Sequence, residues 1–99
     1  MNVANLQLEG LYLTIAALND TLVERGVISR TEIDAAMKKA ERAALDARAG
    51  DDLSPAQRDA MAFPARFLIL ANAASGEGRS FQELARQVGE TKNTRFDPS

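Results

Sequence analysis

Three four-residue stretches limit what this chain can become more than any other feature: Ser29-Arg30-Thr31-Glu32, Ser54-Pro55-Ala56-Gln57 and Ser80-Phe81-Gln82-Glu83. Each sets a serine three residues ahead of a glutamate or glutamine. At that spacing the serine hydroxyl accepts the N–H of the third helical residue, and the longer side chain reaches back to the serine's own N–H. Donors that a helix start normally leaves orphaned are thereby satisfied at three defined points. Pro55 strengthens the second start, because a first-position proline gives up an N–H with no helical partner. Ile28 and Ile33 flank the first start at the spacing of a hydrophobic staple, and Gly26 and Gly50 stand where helices commonly end. The chain therefore reads as all-α, a single small bundle of four to five helices. The helices are expected over about 5–25, 30–49, 55–74 and 81–88, with a flexible polar tail over 91–99.

The apolar pattern says how these helices would pack. Leu8, Leu11, Ile15, Leu18 and Leu22 recur at alternating steps of three and four, which draws one stripe on a helix and also fits a short coiled-coil seam. Leu13 falls away from that stripe, so the first helix has more apolar surface than one seam hides. Gly10, a poor helix former, is expected to mark a close approach of another helix. On the second helix Ile33, Ala36, Met37, Ala40, Ala44 and Ala47 form an inner face of small side chains, with Lys38, Lys39, Glu41, Arg42, Asp46 and Arg48 around the rest. Such a face suits an αα-hairpin with the first helix. In "AFPARFLILANAAS" Pro64 removes a helical hydrogen bond, so the third helix is expected to kink or break there. Phe63, Phe67, Leu70 and Ala74 mark its core face, while Leu68 and Ile69 add a second apolar face that a partner could cover.

Composition narrows the function. The 99 residues make one domain, and 18 of the apolar ones are alanine, so the core is thin. There is no cysteine, histidine or tryptophan. Thiolate metal sites, Cys or His nucleophile chemistry and imidazole acid–base chemistry are thereby excluded. The adjacent Asp51-Asp52 lack the further oxygen ligands that calcium requires, and Gly76-Glu77-Gly78-Arg79-Ser80 lacks the lysine and spacing of a phosphate loop. No metal and no cofactor are expected. The net charge of −2 carries no basic block, so nucleic acid is not the expected partner. The first basic residue is Arg25, and no apolar run approaches a bilayer's thickness; a cytoplasmic protein without membrane attachment is the expectation.

Two stretches resemble known families. Leu22 to Ala36, "LVERGVISRTEIDAA", resembles the N-terminal helical hairpin of nitrile hydratase alpha subunits and the helical modules called short C-terminal domains. The hydratase's metal sits in a cysteine motif that this chain lacks, so the resemblance implies a capped hairpin and not that activity. Residues 80–95, "SFQELARQVGETKNTR", are similar to the first helix and turn of a helix-turn-helix, cut short after Gly89. That resemblance implies a DNA-binding regulator in which Lys92, Asn93 and Arg95 meet the nucleic acid.

The serines are engaged as caps and most charges fall on outward faces, while a small four-helix chain leaves little volume for a pocket of about 300 Å³ or more. No catalytic residues are assigned. The expected activity is protein–protein interaction, by self-association or adaptor binding, with a homodimer and a monomer on equal footing. The expected interface residues are Leu8, Leu11, Leu13, Ile15, Leu18, Leu68 and Ile69; the alternative is DNA binding through the C-terminal stretch.

Overall fold

The computed structural model describes residues 3–46 and 53–96, the last six by backbone alone, and builds them into four helices: α1 (Val3–Glu24), α2 (Arg30–Asp46), α3 (Pro55–Ala73) and α4 (Phe81–Phe96). No strand occurs among the described residues. Met1, Asn2, the Ala47–Asp52 link with its paired aspartates, and Asp97–Ser99 lie outside them.

The serine caps form as the spacing predicts. Ser29 Oγ accepts the Glu32 N–H at 3.0 Å, and Glu32 Oε1 accepts the Ser29 N–H at 2.9 Å. Ser54 and Gln57 exchange the same two bonds at 3.1 and 2.8 Å. At α4 only half of the box is made: Ser80 Oγ accepts the Glu83 N–H at 3.2 Å, but Glu83 Oε1 takes the serine hydroxyl at 3.3 Å rather than its backbone N–H. Gly26, at φ 73°, ends α1 in a Schellman motif. Its N–H donates to Val23 O and that of Val27 to Leu22 O, both at 3.0 Å, which answers two carbonyls the helix end would leave open.

Of the kink or break expected at Pro64, the break does not occur: α3 runs through it as one helix. The carbonyl that proline leaves unbonded belongs to Ala60, an exposed residue that solvent can satisfy. Nor does α4 stop near residue 88. It continues through Gly89 to Phe96, so 91–96 is helix rather than tail. A helical glycine costs up to about 1 kcal/mol. Burial of Leu84 and Val88 just before it, and the Arg86–Glu90 pair across it at 2.6 Å, carry the helix past that point.

α3 is the hub. Its most extensive packing is with α2, and α1 and α4 each lean on it as well, whereas α1 and α2 touch each other little. The N-terminal pair is therefore joined by a tight turn without packing as a hairpin. Ala62 and Ala65, both buried, let α2 come close to α3. The inner line of α2 runs through Ile33, Met37, Glu41, Ala44 and Leu45, while Ala36 and Ala40 are exposed. Glu41 was expected outside; it turns inward because Arg66 of α3 waits there, its Nε 2.7 Å from Glu41 Oε2.

The apolar core is small: Phe67, fully buried, with Leu68, Leu84 and Val88, and Tyr12, Ile15, Met37, Phe63 and Phe81 packed against it. Tyr12 brings α1 into an aromatic group, with ring centroids 5.9 Å from Phe63, 5.7 Å from Phe67 and 6.2 Å from Phe81. That contact rotates α1 away from the leucine seam, so that Tyr12 and Asn19 point inward and the seam straddles the edge of the core. A radius of gyration of 14.2 Å, against about 13 Å for a close-packed domain of this length, reflects helices that lean on one hub.

Candidate functional site

With Tyr12 and Asn19 turned to the core, the 3.6-residue period sends the opposite side of α1 to solvent. Gly10, Thr14, Ala17 and Thr21 run down its middle, all exposed. Leu6 and Leu13 form a row on one side, 48% and 47% accessible, and Leu11 and Leu18 a row on the other, 50% and 56%. Val3, 67% accessible, extends this face toward the N-terminus. Between Val3 and Thr21 no charged residue falls on this strip, though Gln7 lies beside Thr14 and Glu24 follows one turn beyond Thr21; α1 as a whole carries no basic side chain. The two threonine hydroxyls are turned back into the helix, Thr14 Oγ1 donating to Gly10 O at 2.8 Å and Thr21 Oγ1 to Ala17 O at 3.0 Å. Their methyl groups remain, so the strip has the polarity of a helix–helix interface rather than of a solvated face. An added Cβ at Gly10 would meet nothing within 4 Å, so the close approach expected there is not made among the described residues.

Of the residues expected at an interface, Leu11, Leu13 and Leu18 lie on this face. Leu8 sits on the opposite edge of α1, at a groove described below. Ile15 packs on the Phe67 core, Ile69 is half-buried, and Leu68 is a core residue at 5% accessibility. Leu68 is therefore withdrawn from the candidate surface: α3 is covered on more sides than its sequence suggested. Gly89 lies inside α4, so the turn that a helix-turn-helix needs is not formed, and the side chains of Lys92, Asn93 and Arg95 are outside the described residues.

Two polar clusters were not legible in the sequence. The first ties three helix ends together. Arg30 Nη1 donates to Asp20 Oδ1 at 2.7 Å and to Asn72 Oδ1 at 3.1 Å, and Nη2 donates to Ser75 Oγ at 2.9 Å. Ser75 in turn donates to Asp20 at 3.1 Å, and Asn72 Nδ2 donates to the Arg30 carbonyl at 3.0 Å. Every named group has a partner, which makes the cluster a clamp rather than a site.

The second cluster surrounds Arg66. Beyond its bond to Glu41, Arg66 Nη1 reaches Asp59 Oδ1 at 3.4 Å, while its buried Nη2 meets no acceptor. Both side chains of the Glu41–Arg66 pair are 8% accessible. Arg66 and Asp59 border a groove of about 530 Å³, which has Leu8 and Tyr12 of α1 on one wall, Ala60 and Phe63 of α3 as floor, and Ala85 and Val88 of α4 opposite. The chain leaves more open space than the little volume expected of it, because α1 and α4 both rest on α3 without closing on each other along this groove.

Among the described residues no group of three or more histidine, cysteine, aspartate or glutamate side chains converges as a metal site, and no helix is long and apolar enough to cross a membrane. Compared with known protein families, curated proteins and solved structures, the chain matches none.

Proposed function

We propose that this is a non-enzymatic helical protein that acts by self-association, two copies meeting through the outward face of α1. The observation that carries this reading is the uncharged strip of Gly10, Thr14, Ala17 and Thr21 held between two leucine rows. A shallow furrow with ridges on both sides is complementary to a second copy of itself, which is what a two-fold interface requires. The absence of charge leaves nothing on the strip to recruit an oppositely charged partner. The absence of any basic residue on α1 also disfavours an anionic lipid surface.

The size of the face sets the strength. From Val3 to Thr21 it is about 27 Å long at 1.5 Å per residue, and two such faces would bury on the order of 1,000 Å² in total. That is the lower edge of specific interfaces, so a dimer dissociating in the micromolar range is expected. The test is light scattering across a dilution series, on the wild type and on Leu13→Glu. Leu13 is half exposed, so the glutamate is tolerated by a monomer but would have to be desolvated in the dimer. A wild type that is already monomeric at about 100 µM would refute the reading, since even a weak interface of this size should be populated there. So would an undiminished dimer in Leu13→Glu.

A further inference from the structure

The strip on α1 ends in two charges that its own chain leaves unused. Glu24 and Arg25 are both exposed, and among the described residues neither enters an ion pair, whereas Arg30, Lys38, Arg79 and Arg86 each hold a carboxylate. Arg25 still follows the helical step, its N–H donating to Thr21 O at 3.0 Å. About one turn beyond Thr21, the 3.6-residue period therefore sets Glu24 on the side of Leu6 and Leu13, and Arg25 on the side of Leu11 and Leu18.

We propose that two copies lay their α1 helices parallel and in register, with Glu24 of each opposite Arg25 of the other. This rests on the reading that the outward face of α1 is the dimer contact, and it fixes how that contact is made. Helices that meet face to face in parallel bring opposite sides together. Leu13 of one copy then meets Leu11 of the other, and Glu24 meets Arg25, each contact made twice about a two-fold axis. Antiparallel helices bring like sides together, and part Glu24 from Arg25 of the other copy by the length of the strip.

The shape of the furrow points the same way. Its small residues are confined to the stretch from Gly10 to Thr21, while toward the start of α1 the strip carries Gln7 and Val3. In parallel register each small residue faces its own copy, and the whole length from Val3 to Arg25 overlaps. An antiparallel pair centred on the strip sets Thr21 against Val3 and Ala17 against Gln7. Sliding that pair until small residues face small ones carries Val3 and Leu6 past the end of the other α1. The helix dipoles oppose the parallel arrangement only weakly. Their terminal charges are about half an elementary unit, so each repulsion has about a quarter of the strength of a full pair at equal distance.

The chain contains no cysteine, so single introduced thiols report the arrangement. Val3→Cys and Thr21→Cys, at exposed helical positions, should each form disulfide-linked dimers on mild oxidation when tested alone. In an antiparallel pair centred on the strip the two Thr21 positions stand about 27 Å apart, far beyond the roughly 7 Å between Cα atoms that a disulfide spans. Cross-linking only when the Val3→Cys and Thr21→Cys chains are mixed would overturn the parallel arrangement and leave the α1 contact in place. The charges are tested by Glu24→Arg and Arg25→Glu. Each alone sets like charges opposite one another twice, and should dimerise about tenfold more weakly than the wild type. Mixing the two chains restores both attractions and should give a mixed dimer of close to wild-type affinity. A mixture that associates no better than either variant alone would overturn the pairing. A wild type that is monomeric at about 100 µM would instead remove the contact on which the parallel arrangement rests.

Discussion

The pair of Glu41 and Arg66 gives the sharpest check on how α2 sits on α3. The perturbation is Glu41→Ala. Both partners are about nine-tenths buried and 2.7 Å apart, so the substitution leaves a guanidinium in the interior without its principal counter-charge. Removing one member of such a pair typically costs about 3–5 kcal/mol. Asp59 remains at 3.4 Å, with a side chain 24% accessible, and retains part of the compensation; the low end, about 3 kcal/mol, is therefore expected. For a domain of this size each kcal/mol moves the melting temperature by about 4–8 °C, so Tm should fall by roughly 12–24 °C. Urea unfolding followed by far-ultraviolet circular dichroism measures the loss directly. The paired change Glu41→Leu with Arg66→Met removes both charges at similar volume, and should lie within about 1 kcal/mol of the wild type or above it. A loss under about 1 kcal/mol for Glu41→Ala alone is the value of a solvated surface pair. It would mean that water reaches Arg66 and that α2 does not close over it as described.

The remaining predictions concern the turns and the clamp. Asn72→Ala should cost about 1–3 kcal/mol in urea unfolding, because it strips the Arg30 carbonyl and one guanidinium nitrogen of a nearly buried partner. Arg30→Ala should cost less, about 1 kcal/mol or below, since the Asn72 bond to the backbone carbonyl survives and the Arg30–Asp20 pair is more than one-third exposed. Gly26→Ala forces a side chain into φ 73° and should lose about 1–2 kcal/mol. Gly10→Ala should do the reverse in the monomer, raising stability by up to about 1 kcal/mol, because the site is helical and open. In light scattering the same change should weaken the dimer, as the added methyl stands in the furrow between the leucine rows.

What the sequence disclosed and what it hid divide along a physical line. Helix starts were legible because capping is local: the bonds of Ser29 with Glu32 and of Ser54 with Gln57 are made within four residues. The rotation of α1 was not, since it depends on Tyr12 meeting rings from α3 and α4 that lie more than fifty residues away. Glu41 looked like one more charge on a solvated helix until its partner 25 residues on was in place. Local breakers were weaker guides to helix ends for the complementary reason. Pro64 and Gly89 each weaken a helix by an amount that neighbouring burial can outweigh, as Ala62, Ala65 and Phe67 do around the first and Leu84 and Val88 do before the second. Of the candidate interface residues, Leu11 and Leu18 were read as part of the seam and Leu13 and Leu68 as surplus apolar surface; only the packing separated the exposed three from the buried Leu68.

Both surfaces of interest follow from topology rather than from any motif. In a closed four-helix bundle each helix meets two neighbours, and little of its apolar surface stays open. Here α3 takes the contacts that α1, α2 and α4 would otherwise share. α2 loses little by this, because its inner line packs along α3 over its described length, with the pair to Arg66 in its middle. α1 loses most: one side rests on the aromatic group, its outward leucines stay about half exposed, and its edge at Leu8 faces α4 across a gap. A second copy on the leucine rows would therefore occupy the side of α1 that its packing on α3 leaves open. Because it would bind only the folded placement of α1, self-association should make the melting temperature rise with protein concentration.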